Sequence, residues 1–188
     1  MGITQVLIYT RHPFFPIANA YHAWRTSLIC PRGGENVENL IIRIDFDKQE
    51  FPKRYTCDGE NISPAIGIDR IHSEFLAITI EDWIGPSEKI CHWCIWNIKA
   101  RDAIPENIPG DPSITQPFDA VQGKNDLGKI GYSGPCPPKG EVHTYYFNVY
   151  GLDAQLDAPP GSSREDLGKA MAGHTVQYGG QSIATYQR

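Results

Sequence analysis

Three apolar stretches of strand length stand out along the chain, at residues 75–80, 92–98 and 144–150. Each is rich in β-branched and aromatic residues. Periodicity of this kind over so few residues predicts buried β-strands. A shorter run at 40–44 and a last one at 182–186 add two more strands. Turn signals separate them, Asp58-Gly59 among them. Residues 101–140 are crowded with Gly, Pro, Asn and Asp and predict a long irregular connection, a feature that usually carries function. One helix is expected. Ser162 followed by Glu165 makes a capping-box pattern, Leu167, Ala170 and Met171 share a face, and Gly173 is placed to end it. Several strands, long connections and one or two peripheral helices predict an all-β fold, a β-sandwich.

Length narrows this further. A chain of 188 residues suits one domain, or one domain and an appendage. Residues 1–36 mix Arg, His, Pro and aromatics without a period and end near Pro31-Arg32-Gly33-Gly34, so they read as an N-terminal extension to a domain spanning 37–188. The net charge of −5 argues against nucleic acid as the main partner. No apolar run approaches the ~20 residues needed to cross a bilayer. The run at 3–9 is too short and too soon interrupted for a signal-peptide core, so a cytoplasmic protein is expected. Its five cysteines are odd in number and scattered, and read as reduced thiols rather than a disulfide framework.

Two constellations carry candidate chemistry. Asp82 ends one predicted strand and His92 begins the next, across a loop containing Gly85 and Pro86. On neighbouring strands they would share a sheet end, where the carboxylate would orient the imidazole and raise its pKa. The bland alternative is a surface Asp and a strand-end His with no common task. Further on, His143 and Tyr145 alternate onto one face of a strand, behind the stiff run Gly134-Pro135-Cys136-Pro137-Pro138. Imidazolium and phenol groups are suitable donors to phosphate or carboxylate. Asp82, His92 and His143 are also the only set that a cupin-like metal site could use. Cys91-His92-Trp93-Cys94 spells a dithiol motif. In a regular strand, however, residues three apart face opposite sides, so the sulfurs should diverge. There is no GxSxG, HExxH, Walker loop or GxGxxG.

Four segments together resemble the phosphatidylethanolamine-binding protein family in its bacterial and archaeal branch. Residues 55–64 are similar to its CDGxNxSP segment, 82–97 to its first signature (DPDAP, then a histidine), 123–132 to NDxGxxGY, and 134–147 to GPxPPxGxxHxYxF. The resemblance covers about residues 38–188. It implies a sandwich of a large and a small antiparallel sheet around a pocket for phosphate, phosphorylated head groups or similar anions. Carried over residue by residue, it implies Asp82, Pro86, His92, Pro138, His143 and Tyr145 as ligand-binding residues; no cofactor is expected, and without a clear nucleophile or metal motif no catalysis either. Two positions depart from the pattern. Ile84 stands for the second Asp of DPDAP, making the pocket mouth more apolar, and Thr144 for an arginine. The function implied is small-anion binding, regulatory in purpose. The rival is a protein-interaction regulator, such as a peptidase or kinase inhibitor, working through the surface loop at 103–132.

Overall fold

The computed structural model describes residues 39–85, 88–179 and 182–188. The extension at 1–36 therefore lies outside the described residues. The order of elements is β1 (Ile41–Arg43), β2 (Ile66–Asp69), β3 (Phe75–Trp83), β4 (Lys89–Lys99), β5 (Ala103–Ile104), β6 (Ser113–Ile114), β7 (Ala120–Gln122), β8 (Val142–Leu152), α1 (Arg164–Met171), β9 (Thr175–Tyr178) and β10 (Ser182–Gln187). All five predicted strands are present, two of them extended to 11 residues.

Among the described residues the strands form two antiparallel sheets. The small one runs β1-β2-β5. The large one runs β10-β8-β3-β4-β7-β6, with β9 also on β8. Alternation along the strands assigns the faces. Leu76, Ile78 and Ile80 of β3 join Trp93 and Ile95 of β4, Tyr145, Phe147 and Val149 of β8, and Ile66 and Ile68 of β2 in the core between the sheets. The opposite face of the large sheet holds a second cluster, in which Ala77, Cys91, Cys94 and Trp96 pack against Leu167 and Met171 of α1. Near-continuous apolar runs arise here because β3 and β4 are covered on both faces.

The helix begins one residue later than expected. Ser163, not Ser162, is the N-cap, and its capping box closes with Asp166. Ser162 instead donates its hydroxyl to Pro159 O at 2.7 Å. The connection at 101–140 is less irregular than its composition suggests. It contains β5, β6 and β7 and buries Ile104, Ile108, Ile114 and Ala120.

The thiols depart most from expectation. Cys57 and Cys136, 79 residues apart, form a disulfide, which overturns the reading of all five cysteines as reduced thiols. Spacing along the chain says nothing about which loops the fold brings together. The reasoning about Cys91 and Cys94 fails for a different reason. Ile80 pairs with Trp93 but Glu81 pairs with Cys91, so His92 is an extra residue in β4. That β-bulge resets the alternation. Both free thiols consequently face the second cluster, fully buried. The neighbouring Cys94 thiol and burial push the Cys91 thiol up, and Cys91 Sγ donates to Trp93 O at 3.4 Å.

Candidate functional site

The site is assembled at the end of β3. Asp82 lies directly opposite Tyr145 on β8, and His143 is two residues before Tyr145 on the same face. His143 donates from Nδ1 to Asp82 Oδ2 at 2.6 Å and from Nε2 to Glu141 Oε2 at 3.2 Å. Ionised carboxylates only accept, so a carboxylate at each ring nitrogen favours the protonated imidazolium. The hydrogen bond to Asp82, joined by that to Glu141, accordingly raises the His143 pKa above the ordinary histidine value despite the opposing effect of burial.

His92 is held differently. As the bulge residue it turns into the inter-sheet side, its ring edge-on to Tyr145 at 5.3 Å. Its Nδ1–H donates to Ser133 O at 2.7 Å, which leaves Nε2 with the lone pair. Burial lowers its pKa, more strongly than the Ser133 carbonyl and the charge of Asp82 raise it. The expected pairing of Asp82 with His92 is therefore corrected. The regular β3–β8 register brings Asp82 to His143, while the bulge leaves His92 tied to the loop that follows β7. Burial, with the adjacent Asp82 charge, pushes the Tyr145 phenol well above its usual range, so it is a donor. Among the described residues the Tyr145 hydroxyl and Asp82 Oδ1 are both buried and have no hydrogen-bond partner.

Beside this cluster opens a cleft of about 490 Å³, lined by Trp83, Ile84, Pro138, Glu141, Val142 and His143. Of the four polar groups only His143 lines it. Asp82, His92 and Tyr145 are buried at 3%, 4% and 0% exposure. Ile84 and Val142 are exposed, giving the mouth the apolar rim foreseen for Ile84. Thr144, in the arginine's place, also lines the cleft. Pro86 lies outside the described residues. A larger open hollow of about 590 Å³ sits at the other end of β3, lined by Asn97, Lys99, Arg101, Asp119 and Gln155 beside Phe75 and Phe118, and contains none of the site residues singled out from the sequence. Its cations, Lys99 and Arg101, lie over Phe75 and Phe118. Among the described residues no three metal-ligating side chains converge.

Sequence reasoning missed the supports of the site. Glu141 lacked any signal beyond its place beside His143. Asn125, within the NDxGxxGY-like segment, donates to Gly131 O and Ser133 Oγ at 3.0 Å each, and accepts from the backbone of Leu127 and Lys129. It thereby shapes the loop that presents Ser133 to His92. Gly134 in that loop leaves no room for a side chain, since a Cβ would sit 2.1 Å from Tyr55 O.

A sandwich of unequal antiparallel sheets, with an acid, two imidazoles and a phenol at one end, defines a pocket-bearing β-sandwich class. The profile of the phosphatidylethanolamine-binding protein family matches residues 44–186, and the chain belongs to that family. A UPF0098 protein of Pyrococcus horikoshii is 42% identical over 163 residues, covering 85% of this chain and 82% of that one. A UPF0098 protein of Methanothermobacter thermautotrophicus is 46% identical over 141 residues, covering 73% and 91%. Among solved structures, a phosphatidylethanolamine-binding protein homolog of Chlamydia trachomatis superposes with a TM-score of 0.69 at 31% identity, covering 80% of this chain and 98% of that one. Escherichia coli YbcL, described as a member of the mammalian PEBP family, gives 0.71 at 24% identity, covering 80% and 99%, a likeness of fold. Among the described residues no helix is long and apolar enough to cross a membrane.

Proposed function

We propose that this protein binds a small anion (phosphate, a phosphorylated head group or a carboxylate) at the cleft beside His143, and that it does so as a regulatory binding protein without catalysis. One observation carries the reading: the His143 imidazole lines a cleft whose other walls are Trp83, Ile84, Pro138, Val142, Thr144 and the displaceable Glu141, and it is backed by a buried carboxylate, a second imidazole and a buried phenol. His143 Nε2 is the point of attachment. Its present acceptor, Glu141, has a side chain 59% exposed and is readily displaced. The anion would take that proton as a charge-assisted hydrogen bond, with Asp82 keeping the ring charged and oriented.

The sign of the pH dependence follows from His143. Its pKa is raised, so its charge is complete below the ordinary histidine value and lost as pH climbs through the higher folded value. Binding should weaken across that upper window. His92, with a lowered pKa, adds positive charge only in more acidic solution. Isothermal titration with phosphate and phosphoethanolamine at about pH 5.5 and about pH 8 tests this. Tighter binding at the lower pH, abolished in His143→Ala, is the expected result. Absence of binding at both values would refute the reading.

The rival, a peptidase- or kinase-directed regulator acting through 103–132, rests on a segment that anchors Ile104, Ile108, Ile114 and Ala120 in the core and leaves most of its other residues exposed, with no feature that specifies a partner. The Cys57–Cys136 bond favours an oxidising compartment over the expected cytoplasm.

A further inference from the structure

The loop at 132–138 serves the site twice. Ser133 exchanges two hydrogen bonds with His92, donating from its N–H to His92 O at 3.0 Å and accepting from Nδ1 at 2.7 Å. Pro138, at the other end of the loop, walls the cleft. Between them the loop is fastened to the 55–61 segment. Tyr132 donates its hydroxyl to Tyr55 O at 2.6 Å, Gly134 N–H donates to Asn61 Oδ1 at 2.7 Å, Cys57 N–H donates to Pro135 O at 3.1 Å, and the Cys57–Cys136 disulfide completes the seam. The 55–61 segment is anchored in turn to the C-terminus, where Asp58 accepts from the Tyr186 hydroxyl at 2.8 Å and from Arg188 Nε at 3.1 Å. The three hydrogen bonds of the seam can exchange with water; the disulfide cannot. Cys136 is exposed and Cys57 half-buried, so an external thiolate can reach the bond from the Cys136 side. Cys91 and Cys94 are fully buried and out of reach.

We propose that the Cys57–Cys136 disulfide is a redox clasp on the anion site, opened by a dithiol reductant to loosen the loop that holds His92 and walls the cleft, and so to weaken anion binding. The binding half of this inference rests on the anion-binding reading above. In the chemical step a reductant thiolate attacks Cys136 Sγ, the Cys57–Cys136 bond breaks, and Cys57 leaves as a thiolate that takes up a proton. The reductant's second thiol then attacks the mixed disulfide, releasing Cys136 as a thiol and oxidising the reductant to its own disulfide. Two electrons and two protons pass to the protein. Exposed disulfides are the ones open to such exchange.

His92 reports the state of the clasp without any ligand. Asp82, Asp126 and Tyr145 face it, and their charges are unaltered by the reduction. Burial is the dominant influence on its pKa, so a loosened loop that admits water should move its titration up towards the ordinary value. The test compares the full-length protein as isolated, after treatment with a dithiol, after reoxidation, and as Cys136→Ser, with far-UV circular dichroism confirming the fold in each state. Site-resolved alkylation follows Cys57 and Cys136, NMR follows the His92 titration, and calorimetry measures binding of inorganic phosphate. The expected result is selective reduction of this bond, an upward shift for His92, and phosphate affinity lowered by about fivefold or more, all restored on reoxidation. A bond that resists the dithiol in the folded protein overturns the proposal, as does an unchanged His92 titration in the reduced protein. If the oxidised protein binds no phosphate, the anion reading fails, and the His92 titration alone decides whether the clasp controls the site. If phosphate binds equally in both states, the anion reading stands and the clasp falls.

Discussion

His143 and His92 are the same residue type at one sheet end, yet their surroundings push their pKa values in opposite directions. His143 sits between two carboxylates and is held charged. His92 is buried against a carbonyl and is held towards neutrality. On the proposed reading the first is the attachment point for an anion, and Glu141 would compete with that anion for the Nε2 proton. Replacing Glu141 with Gln removes that competing charge while keeping the side chain's size. An exposed pair of this kind contributes up to about 1 kcal/mol, so Glu141→Gln should bind phosphate up to about fivefold more tightly. Calorimetry at constant pH checks it, and weaker binding would show that Glu141 holds the ligand rather than opposing it.

At the scale of elements, the bulge in β4 is the decisive feature. One extra residue turns His92 to the inter-sheet side and brings Cys91 and Cys94 to a common face under α1. The same helix is tied to the large sheet by charge as well as by Leu167 and Met171. Arg164 Nε lies 2.5 Å from Glu81 Oε1, and Glu81 is 2% exposed, with Lys89 Nζ 3.4 Å from its other oxygen. A buried carboxylate deprived of its best partner is costly, whereas an apolar replacement of the pair is not. Arg164→Met should therefore destabilise the fold by about 3 kcal/mol, and adding Glu81→Leu should recover most of that loss. Urea denaturation of the wild type, both single variants and the double variant measures the coupling. Additive losses would mean that the pair does not act as a unit.

For the whole molecule, the Cys57–Cys136 bond closes a loop of 79 residues that includes β2 to β7. A cross-link of that span lowers the entropy of the unfolded chain, and its loss is expected to cost about 4 kcal/mol. Folded domains have about 5–15 kcal/mol to lose, so the reduced protein should remain folded with a lower urea midpoint. Denaturation with and without a dithiol tests this, and coincident curves would show that the loop's hydrogen bonds suffice on their own. Reduction thus acts at two scales, on global stability and on the setting of His92, which is why the redox test requires a fold check beside the binding measurement.

Local chemistry is legible in the order of residues. The five strands were readable because the apolar runs at 40–44, 75–80, 92–98, 144–150 and 182–186 are bounded by turn formers, and the helix because its cap and apolar face lie within one short segment. The alternation that sets His143 and Tyr145 on one face needs only a single regular strand. The partners needed three dimensions. Asp82 serves His143, 61 residues away, and Ser133 serves His92, 41 residues away, because register between strands is fixed by how whole sheets pack. One bulged residue was enough to reverse the facing of Cys94 relative to Cys91, and two distant loops had to meet before Cys57 and Cys136 could join. The sequence by itself determined which polar groups lie at the strand ends; the tertiary structure alone decided which of them are paired, buried or open to the cleft, because those relations span distant parts of the chain.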